Sequence, residues 1–260
     1  MIRTSLLASA ALVASVAAAS AAPAIALVGD KTLAMFDTDS PTVSKTMEVT
    51  GVGSLVGIDL RPANNTLIGV TPENVVVTID PATGEATELS TMDKPLEIGD
   101  MPVIVDFNPM ADRLRYMTGT TNHRVNVDTG EVTVDGSLAF EDSDMHAGEA
   151  PAIVAAAYIN SYGKPDATAM YDIDWTIVAL IQQTSPNDGT LAAIGKLGIE
   201  EPASNYAFDI GTDAEMNNTA WLANGTTLYK VDLESGKAEK VGSIEGADAD
   251  IRDITIMPAM

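Results

Sequence analysis

The chain has 260 residues, of which 46% are hydrophobic and 20% charged, which is typical of a soluble globular protein of one or two domains. Its formal charge of −23 repels phosphate backbones and anionic lipid surfaces, so nucleic acid and membrane surfaces are disfavoured as partners. Because the sequence contains no cysteine, it has no disulfide, thiol nucleophile or thiolate metal site.

The first 22 residues have the pattern of a secretory signal peptide. Arg3 precedes an apolar run over residues 6–19, and Ala19-Ser20-Ala21 supplies small residues at the two positions that a cleavage site needs. The run is shorter than the roughly 20 residues of a membrane span, and no later segment of that length is free of charges. We therefore expect no membrane span and a mature protein that is periplasmic or secreted.

Short predicted strands follow the leader. Residues 25–28, 33–37 and 43–49 resemble the second, third and fourth strands of a four-stranded sheet that lacks its first strand. The missing type of strand, in which Asp is flanked by apolar residues, recurs later at Ile58-Asp59-Leu60, Val105-Asp106-Phe107, Phe208-Asp209-Ile210 and Arg252-Asp253-Ile254. The double gap between Asp106 and Asp209 predicts a hidden copy near Ala157, in the apolar residues 152–159.

Each copy is followed by a second strand, a third strand that ends at an Asp-containing turn, and a polar fourth strand. The turns are Asp80-Pro81-Ala82-Thr83-Gly84, Asn126-Val127-Asp128-Thr129-Gly130 and Asp232-Leu233-Glu234-Ser235-Gly236. Four short strands every 44 to 52 residues are typical of a β-propeller blade.

The two ends of the chain complete the number of blades. Residues 251–257 resemble a first strand without a blade, so pairing them with the strands after the leader gives a fifth blade. We predict an all-β, five-bladed β-propeller of four-stranded antiparallel blades, forming one domain over residues 24–260. The alternatives are six blades, if residues 139–150 contain strands, or a β-sandwich.

Several segments, in order along nearly the whole mature chain, resemble a bacterial exported family, domain of unknown function 4394. The resemblance is carried by Gly57-Ile58-Asp59-Leu60-Arg61-Pro62, Asp106-Phe107-Asn108-Pro109, Asp112-Arg113-Leu114-Arg115, Asn122-His123-Arg124-Val125-Asn126, Ala155-Ala156-Ala157-Tyr158 and Pro186-Asn187-Asp188-Gly189-Thr190-Leu191. It implies a propeller-like fold and transfers no catalytic residues, because the family has no established activity. Trp175-Thr176 departs from the longer polar turn of the family pattern.

The inner-strand acids are the principal candidates for a functional site. In a propeller they lie among apolar neighbours, where a carboxylate must be paired, hydrogen-bonded or bound to a metal. One interpretation is a structural lattice of Asp–Arg and Asp–backbone contacts, and the other is a carboxylate-lined funnel that holds Ca²⁺ or another hard cation. The candidate funnel or ligand residues are Asp59, Arg61, Asp106, Arg113, Arg115, Asp209 and Asp253.

A second, weaker candidate is the acidic loop at residues 141–149. Asp142, Asp144 and Glu149 offer oxygen ligands at a spacing that suits a hard cation, although Ala147 stands where an EF-hand loop needs Gly. A solvated acidic loop is the competing interpretation.

Two classes of function remain open. The sequence contains no Gly-x-Ser-x-Gly motif, and no catalytic residue is predicted. The first interpretation is a monomeric, non-enzymatic binding or scaffold module for a small ligand, a cation or a partner protein. The alternative is a hydrolase or lactonase-like enzyme that uses a cation held by the funnel carboxylates. Convergence of three or more carboxylates on one point favours the cation site, whereas Asp residues that each face a different Arg favour the lattice.

Overall fold

The computed structural model describes residues 22–200, 202–203 and 206–258, so the predicted signal peptide lies outside the described residues except for Ala22. The regular structure of the described part consists of strands, without a helix. The first three strands are β1 (Pro23–Val28), β2 (Thr32–Asp37) and β3 (Ser40–Glu48). The second blade is β4 (Gly57–Arg61), β5 (Thr66–Val70), β6 (Val75–Ile79) and β7 (Ala86–Thr91).

The third blade is β8 (Ile104–Asn108), β9 (Arg113–Thr118), β10 (Thr121–Val125) and β11 (Val132–Val134). A short strand, β12 (Ala139–Phe140), precedes the fourth blade, which is β13 (Ile153–Tyr158), β14 (Met170–Asp174), β15 (Ala179–Ser185) and β16 (Thr190–Lys196). The fifth blade is β17 (Tyr206–Thr212), β18 (Asn218–Asn224), β19 (Thr227–Val231) and β20 (Ala238–Ser243). The last strand is β21 (Ile251–Ile256).

The five sheets form the predicted five-bladed β-propeller. Strand β21 pairs antiparallel with β1, with Ile254 opposite Ala26, and becomes the inner strand of the first blade. The prediction that the two ends of the chain share a blade is therefore confirmed. The copy near Ala157 is also confirmed, because β13 is the inner strand of the fourth blade. The inner strands adjoin one another in the order β4, β8, β13, β17 and β21. Strand β21 also contacts β4, which closes the ring.

The alternative of six blades is wrong. Residues 139–150 contribute only β12, which pairs parallel with β16 and adds a fifth strand to the outer edge of the fourth blade. Asp144 holds the loop after β12 against the same blade, because its Oδ2 accepts a hydrogen bond from the backbone N–H of Ala193.

The inner strands are continuously apolar because both of their faces are covered by neighbouring blades. All six residues of β13 are buried, whereas the outer strand β7 has only exposed and half-buried residues. The core accordingly consists of five hydrophobic clusters, one in each interface between adjacent blades. Trp221, which is 1% exposed, fills the interface between the fifth and the first blade.

The turns after the third strands join adjacent blades. The Gly84 N–H donates to the Asp80 carbonyl, and the Gly236 N–H donates to the Asp232 carbonyl. In the third blade the equivalent bond links Gly130 to Asn126, so Asn126, and not Asp128, occupies the turn position. Each turn glycine has a positive φ and packs against the backbone of the preceding blade.

Substitution Gly130→Ala is expected to destabilise the fold by about 3 kcal/mol, because a left-handed backbone costs about 1–2 kcal/mol and overpacking about 1–3 kcal/mol more. The φ of Gly130 is 74°, and an added Cβ would collide with the carbonyl group of Thr91. Gly119→Ala is the matched control, since Gly119 has a φ of 57° but nothing within 4 Å of an added Cβ. Urea denaturation measures the free energy of unfolding of both variants. Equal losses of stability would show that the contact with Thr91 is unimportant.

Candidate functional site

The acids of neighbouring inner strands hold one blade to the next. The Oδ2 atom of Asp59 in β4 accepts a hydrogen bond of 2.7 Å from the backbone N–H of Phe107 in β8. The Oδ1 atom of Asp106 in β8 accepts one of 3.1 Å from Tyr158 in β13. Each carboxylate therefore satisfies a backbone donor that its own sheet leaves unpaired at the axis of the propeller.

The same contact recurs at two further boundaries. The Oδ2 atom of Asp209 in β17 accepts a hydrogen bond of 2.5 Å from the N–H of Ile256 in β21. The Oγ1 atom of Thr255 in β21 accepts one of 3.1 Å from the N–H of Leu60 in β4. In each of the four contacts, the N–H donor belongs to the residue directly after a layer position. For example, Phe107 follows Asp106 and Tyr158 follows Ala157. Five positions therefore form one layer around the axis, namely Asp59, Asp106, Ala157, Asp209 and Thr255.

Asp253 belongs to the adjacent layer. Its Oδ2 atom accepts a hydrogen bond of 2.8 Å from the N–H of Ile58, one residue before Asp59. Because alternate residues of a strand share a face, Asp253 lies on the same side of β21 as Thr255 but one step along the axis. The sequence repeat therefore pairs the wrong residue of β21, Asp253, with Asp209, and the structure places Thr255 there. The signal was the spacing, because Asp209 and Thr255 are 46 residues apart and Asp59 and Asp106 are 47 apart.

Three of the five layer positions bring carboxylates together. Oxygen atoms of Asp59, Asp106 and Asp209 lie within 4.8 Å of one another, and the three residues are only 4–6% exposed. Thr255 closes the group from β21, since its hydroxyl donates to Asp59 Oδ1 over 2.9 Å. No described residue donates a hydrogen bond to the second oxygen of Asp106, Oδ2. We call Asp59, Asp106, Asp209 and Thr255 the axial cluster.

The expected Asp–Arg lattice is wrong, because the candidate arginines are bound elsewhere. Arg61 donates to Asp112 and Asp128, with distances of 2.7 Å from Nη2 and Nη1 respectively. Arg113 donates from Nη1 to the carbonyl of Asp112 over 2.8 Å. Only the other half of that interpretation, in which the acids bond to backbone N–H groups, describes the axial contacts. The partners of Arg61, Asp112 and Asp128, belong to the third blade and approach Arg61 only after the blades have packed, whereas those of Arg113 are its own neighbours in the chain.

Arg115 is also absent from the axis, and lies in the interface between the third and fourth blades. It is 1% exposed and donates to Asp135 Oδ2 at 2.7 Å, Asn122 Oδ1 at 2.8 Å and Tyr158 Oη at 3.2 Å. This buried guanidinium ties the outer turns to β13. Its hydrogen bonds are structural contacts between these two blades.

Burial governs the titration of the axial acids. It raises the pKa of Asp59 and of Asp106 well above the ordinary value, and the neighbouring carboxylates raise both further. Burial also raises the pKa of Asp209 to about 6 and that of Asp253 to about 8, against an ordinary value of 3.8. Backbone hydrogen bonds oppose the increase at each position. At neutral pH, binding of either protons or a cation would therefore stabilise the folded cluster.

The space at the axis is small at both ends. A depression of about 20 Å³ opens beside Asp59, Asp209 and Thr255, and another of about 10 Å³ opens beside Asp253. A water-sized sphere needs at least about 10–15 Å³ of such volume, so the first depression has room for one water or ion. Neither of these two openings is therefore large enough to be the expected funnel for a small organic ligand.

The acidic loop does not bring its three candidate ligands together. The Oδ1 atom of Asp144 accepts a hydrogen bond from His146, and the other oxygen accepts from Ala193. Glu149 Oε2 lies 2.9 Å from His146 Nδ1, and Asp142 is exposed to solvent. Among the described residues the axial acids, and not Asp142, Asp144 and Glu149, form the group spaced for a metal ion. The interactions of the loop with β16 and His146 explain its shape without a metal.

No helix of the described residues has the length and apolar character needed to cross a bilayer.

The fold and the axial acids define a five-bladed β-propeller with a buried carboxylate cluster on its axis. Residues 32–255 match the family model described as Domain of unknown function (DUF4394), and the chain belongs to that family. This confirms the resemblance seen in the sequence. No curated protein matches the chain.

Solved structures are similar at low sequence identity. A protein of unknown function from Bacteroides thetaiotaomicron has a TM-score of 0.54 and 17% identity, over 89% of this chain and 63% of that one. An auxiliary nutrient binding protein from Bacteroides ovatus has a TM-score of 0.47 and 12% identity, over 83% of this chain and 54% of that one. The chain thus spans less than two thirds of the length of either protein, and at 17% identity the likeness to the Bacteroides thetaiotaomicron protein concerns the fold alone.

Proposed function

We propose that the protein is an exported, non-enzymatic binding module whose axial cluster holds one hard cation, with Ca²⁺ as the expected ion. The observation that carries the proposal is the convergence of Asp59, Asp106 and Asp209, whose oxygens lie within 4.8 Å of one another without an Arg, Lys or His among their described hydrogen-bond partners. Export rests on the predicted signal peptide.

Electrostatics favours a cation at this point. Three buried carboxylates repel one another, and backbone N–H donors satisfy only part of the accepting capacity of their oxygens. An all-oxygen set is what Ca²⁺ binds, and it tolerates irregular geometry at about 2.3–2.6 Å. Oxygens bound to one such ion are at most about 4.6–5.2 Å apart, and the three axial oxygens, which lie within 4.8 Å of one another, meet that limit. The backbone contacts support binding further, because they fix the carboxylates in place.

The size of the axial depression distinguishes binding from catalysis. About 20 Å³ accommodates an ion but no organic substrate beside it. A hydrolase or lactonase needs both at the same point, since the metal must polarise a substrate oxygen or activate a water molecule. The geometry therefore favours an ion that contributes to stability or to a binding surface.

Substitution Asp106→Asn tests the proposal. Asn retains an oxygen to accept the N–H of Tyr158 but removes one charge from the cluster. We expect wild-type protein to bind one Ca²⁺ at pH 7.5 in calorimetry and in metal analysis, and Asp106→Asn to weaken binding at least tenfold. The loss of a carboxylate ligand causes the weakening.

Asp253→Asn is the matched control. Asp253 is also buried and also accepts an inner-strand N–H, but it lies outside the axial cluster, and its raised pKa of about 8 makes its neutral form the usual one. This variant should bind Ca²⁺ within about twofold of wild type. Equal weakening in both variants, or no binding of Ca²⁺ to the wild type, would refute the proposed site.

A further inference from the structure

The connection that follows the inner strand of the fourth blade differs from its equivalents. In the second and third blades the inner strand joins the next strand through four residues, 62–65 and 109–112, and in the fifth blade through five, 213–217. The fourth blade uses eleven, residues 159–169. We call this segment the strap. Joining two antiparallel strands takes only about two to five residues, so the extra length of the strap serves another purpose.

The strap reaches the axial depression. The depression beside Asp59, Asp209 and Thr255 is also lined by Ser161, the third residue of the strap. The Oγ atom of Ser161 donates a hydrogen bond of 2.9 Å to the carbonyl of Tyr158, which fixes this side chain near the end of β13. The strap therefore borders the opening through which an ion would reach the cluster from this face of the propeller.

Access from the other end of the axis is opposed by charge. The smaller depression, of about 10 Å³, is lined by Arg252 as well as by Asp253. The Nη1 atom of Arg252 donates to the carbonyls of Gly29 and Leu55, at 2.7 and 3.1 Å respectively. These bonds hold the guanidinium in place, and its positive charge repels a cation that approaches from this side. The face that carries the strap is thus the favoured route.

Hydrogen bonds, and not apolar packing, hold the strap on the fifth blade. The backbone N–H of Asn160 donates to Asn218 Oδ1 over 2.8 Å, and Asn218 Nδ2 donates to Asn160 Oδ1 over 2.9 Å. The N–H of Ser161 donates to Thr212 Oγ1 over 2.8 Å. All residues of the strap are exposed or half-buried. Segments of this kind open at a lower free energy than the core, so the strap can open while the blades stay folded.

We propose that the strap controls the entry and release of the axial cation, and that the Asn160–Asn218 pair keeps it closed. This inference rests on the proposed cation site. The carboxylates of the axial cluster belong to the second, third and fifth blades, so opening of the strap clears the path of the ion without removing a charged ligand. Loss of the pair should therefore increase the rates of association and dissociation together and leave the affinity nearly unchanged.

Substitution Asn160→Gly tests the strap. Asn160 has a left-handed φ of 61°, which Gly adopts readily, and the variant loses the hydrogen bonds of this side chain to Asn218 and to the carbonyl of Ala167. Stopped-flow mixing of the Ca²⁺-loaded mature chain with a fluorescent chelator at pH 7.5 measures the dissociation rate. We expect dissociation at least fivefold faster than in wild type, with the Kd from calorimetry changed less than threefold.

Asn65→Gly is the matched control. Asn65 has a φ of 56° in the equivalent connection of the second blade and is exposed, so its substitution should change the dissociation rate less than twofold. Equal acceleration in both variants, or none in Asn160→Gly, would overturn the role of the strap and leave the axial site standing. Faster dissociation with an equal loss of affinity would assign the strap to the coordination of the ion, and would likewise overturn its role as a barrier. A wild-type protein that binds no Ca²⁺ would refute the axial site and the strap together.

Discussion

In the presence of a chelator, the protein is expected to become less stable as the pH rises from 5 to 8. The pKa of Asp209 rises from 3.8 to about 6 on folding, and that of Asp253 to about 8. An acid with a raised folded pKa favours the native state fully below its unfolded pKa, and this advantage is lost as the pH rises through the folded pKa. The relevant interval is therefore about pH 4 to 8. Asp209 alone accounts for about 3 kcal/mol between pH 4 and 6, of which about 1.4 kcal/mol is lost above pH 5, since one pKa unit corresponds to about 1.4 kcal/mol.

Calcium should reverse this trend. Protons and Ca²⁺ compete for the same carboxylates, so the gain in Tm on adding Ca²⁺ should be near zero at pH 5 and largest at pH 8. At a Ca²⁺ concentration of 100 times Kd the stabilisation is about 2.7 kcal/mol. This corresponds to an increase in Tm of about 5–10 °C for a domain of this size. Calorimetric scans at pH 5, 6.5 and 8, with chelator and with Ca²⁺, measure both effects.

The variant Asp209→Asn separates the axial cluster from general repulsion among the surface acids. It removes one buried titrating group, so the decrease in Tm with pH under chelator should be smaller than in wild type. An unchanged pH dependence in this variant would attribute the effect to surface charge. A Tm that rises between pH 5 and 8 in chelator would contradict the role assigned to the raised pKa values.

Substitution Arg115→Met is expected to destabilise the protein by about 3–5 kcal/mol, because it removes one member of a buried ion pair. Asp135, whose side chain is 5% exposed, would keep only Arg124 as an ionic partner. Asp172 has no hydrogen bond to either carboxylate oxygen, and the charge of Arg115 opposes the increase in its pKa that burial causes. Loss of Arg115 would therefore also raise the pKa of Asp172.

Arg113→Met is the control for Arg115→Met. Arg113 lies in the same strand, but its hydrogen bonds go to the nearby backbone carbonyls of Ala111 and Asp112. We expect a loss of less than about 1 kcal/mol, because these contacts are local and Arg113 is only half-buried. Urea denaturation at pH 7 measures both variants. Similar small losses would show that the buried network around Arg115 contributes little to stability.

Much of the architecture followed from local pattern. The apolar inner strands, the polar outer strands and the turn glycines recur at the length of a blade, because each blade must bury two faces and reverse direction three times. The same repeat located β13, whose inner position is occupied by Ala157 in place of an acid. It also predicted that β21 would complete the blade formed by β1, β2 and β3.

The sequence by itself indicated the class of fold and the acids on the inner strands, and it predicted five blades, while the pairing of β12 with β16 excluded a sixth. Only the tertiary structure decided that Thr255, rather than Asp253, completes the axial layer. A shift of two residues leaves a side chain on the same face of a strand, so the alternation of the sequence cannot detect it. The partners of Arg61 and Arg115 were likewise decided by packing, since an ion pair between distant segments depends on how whole blades approach each other.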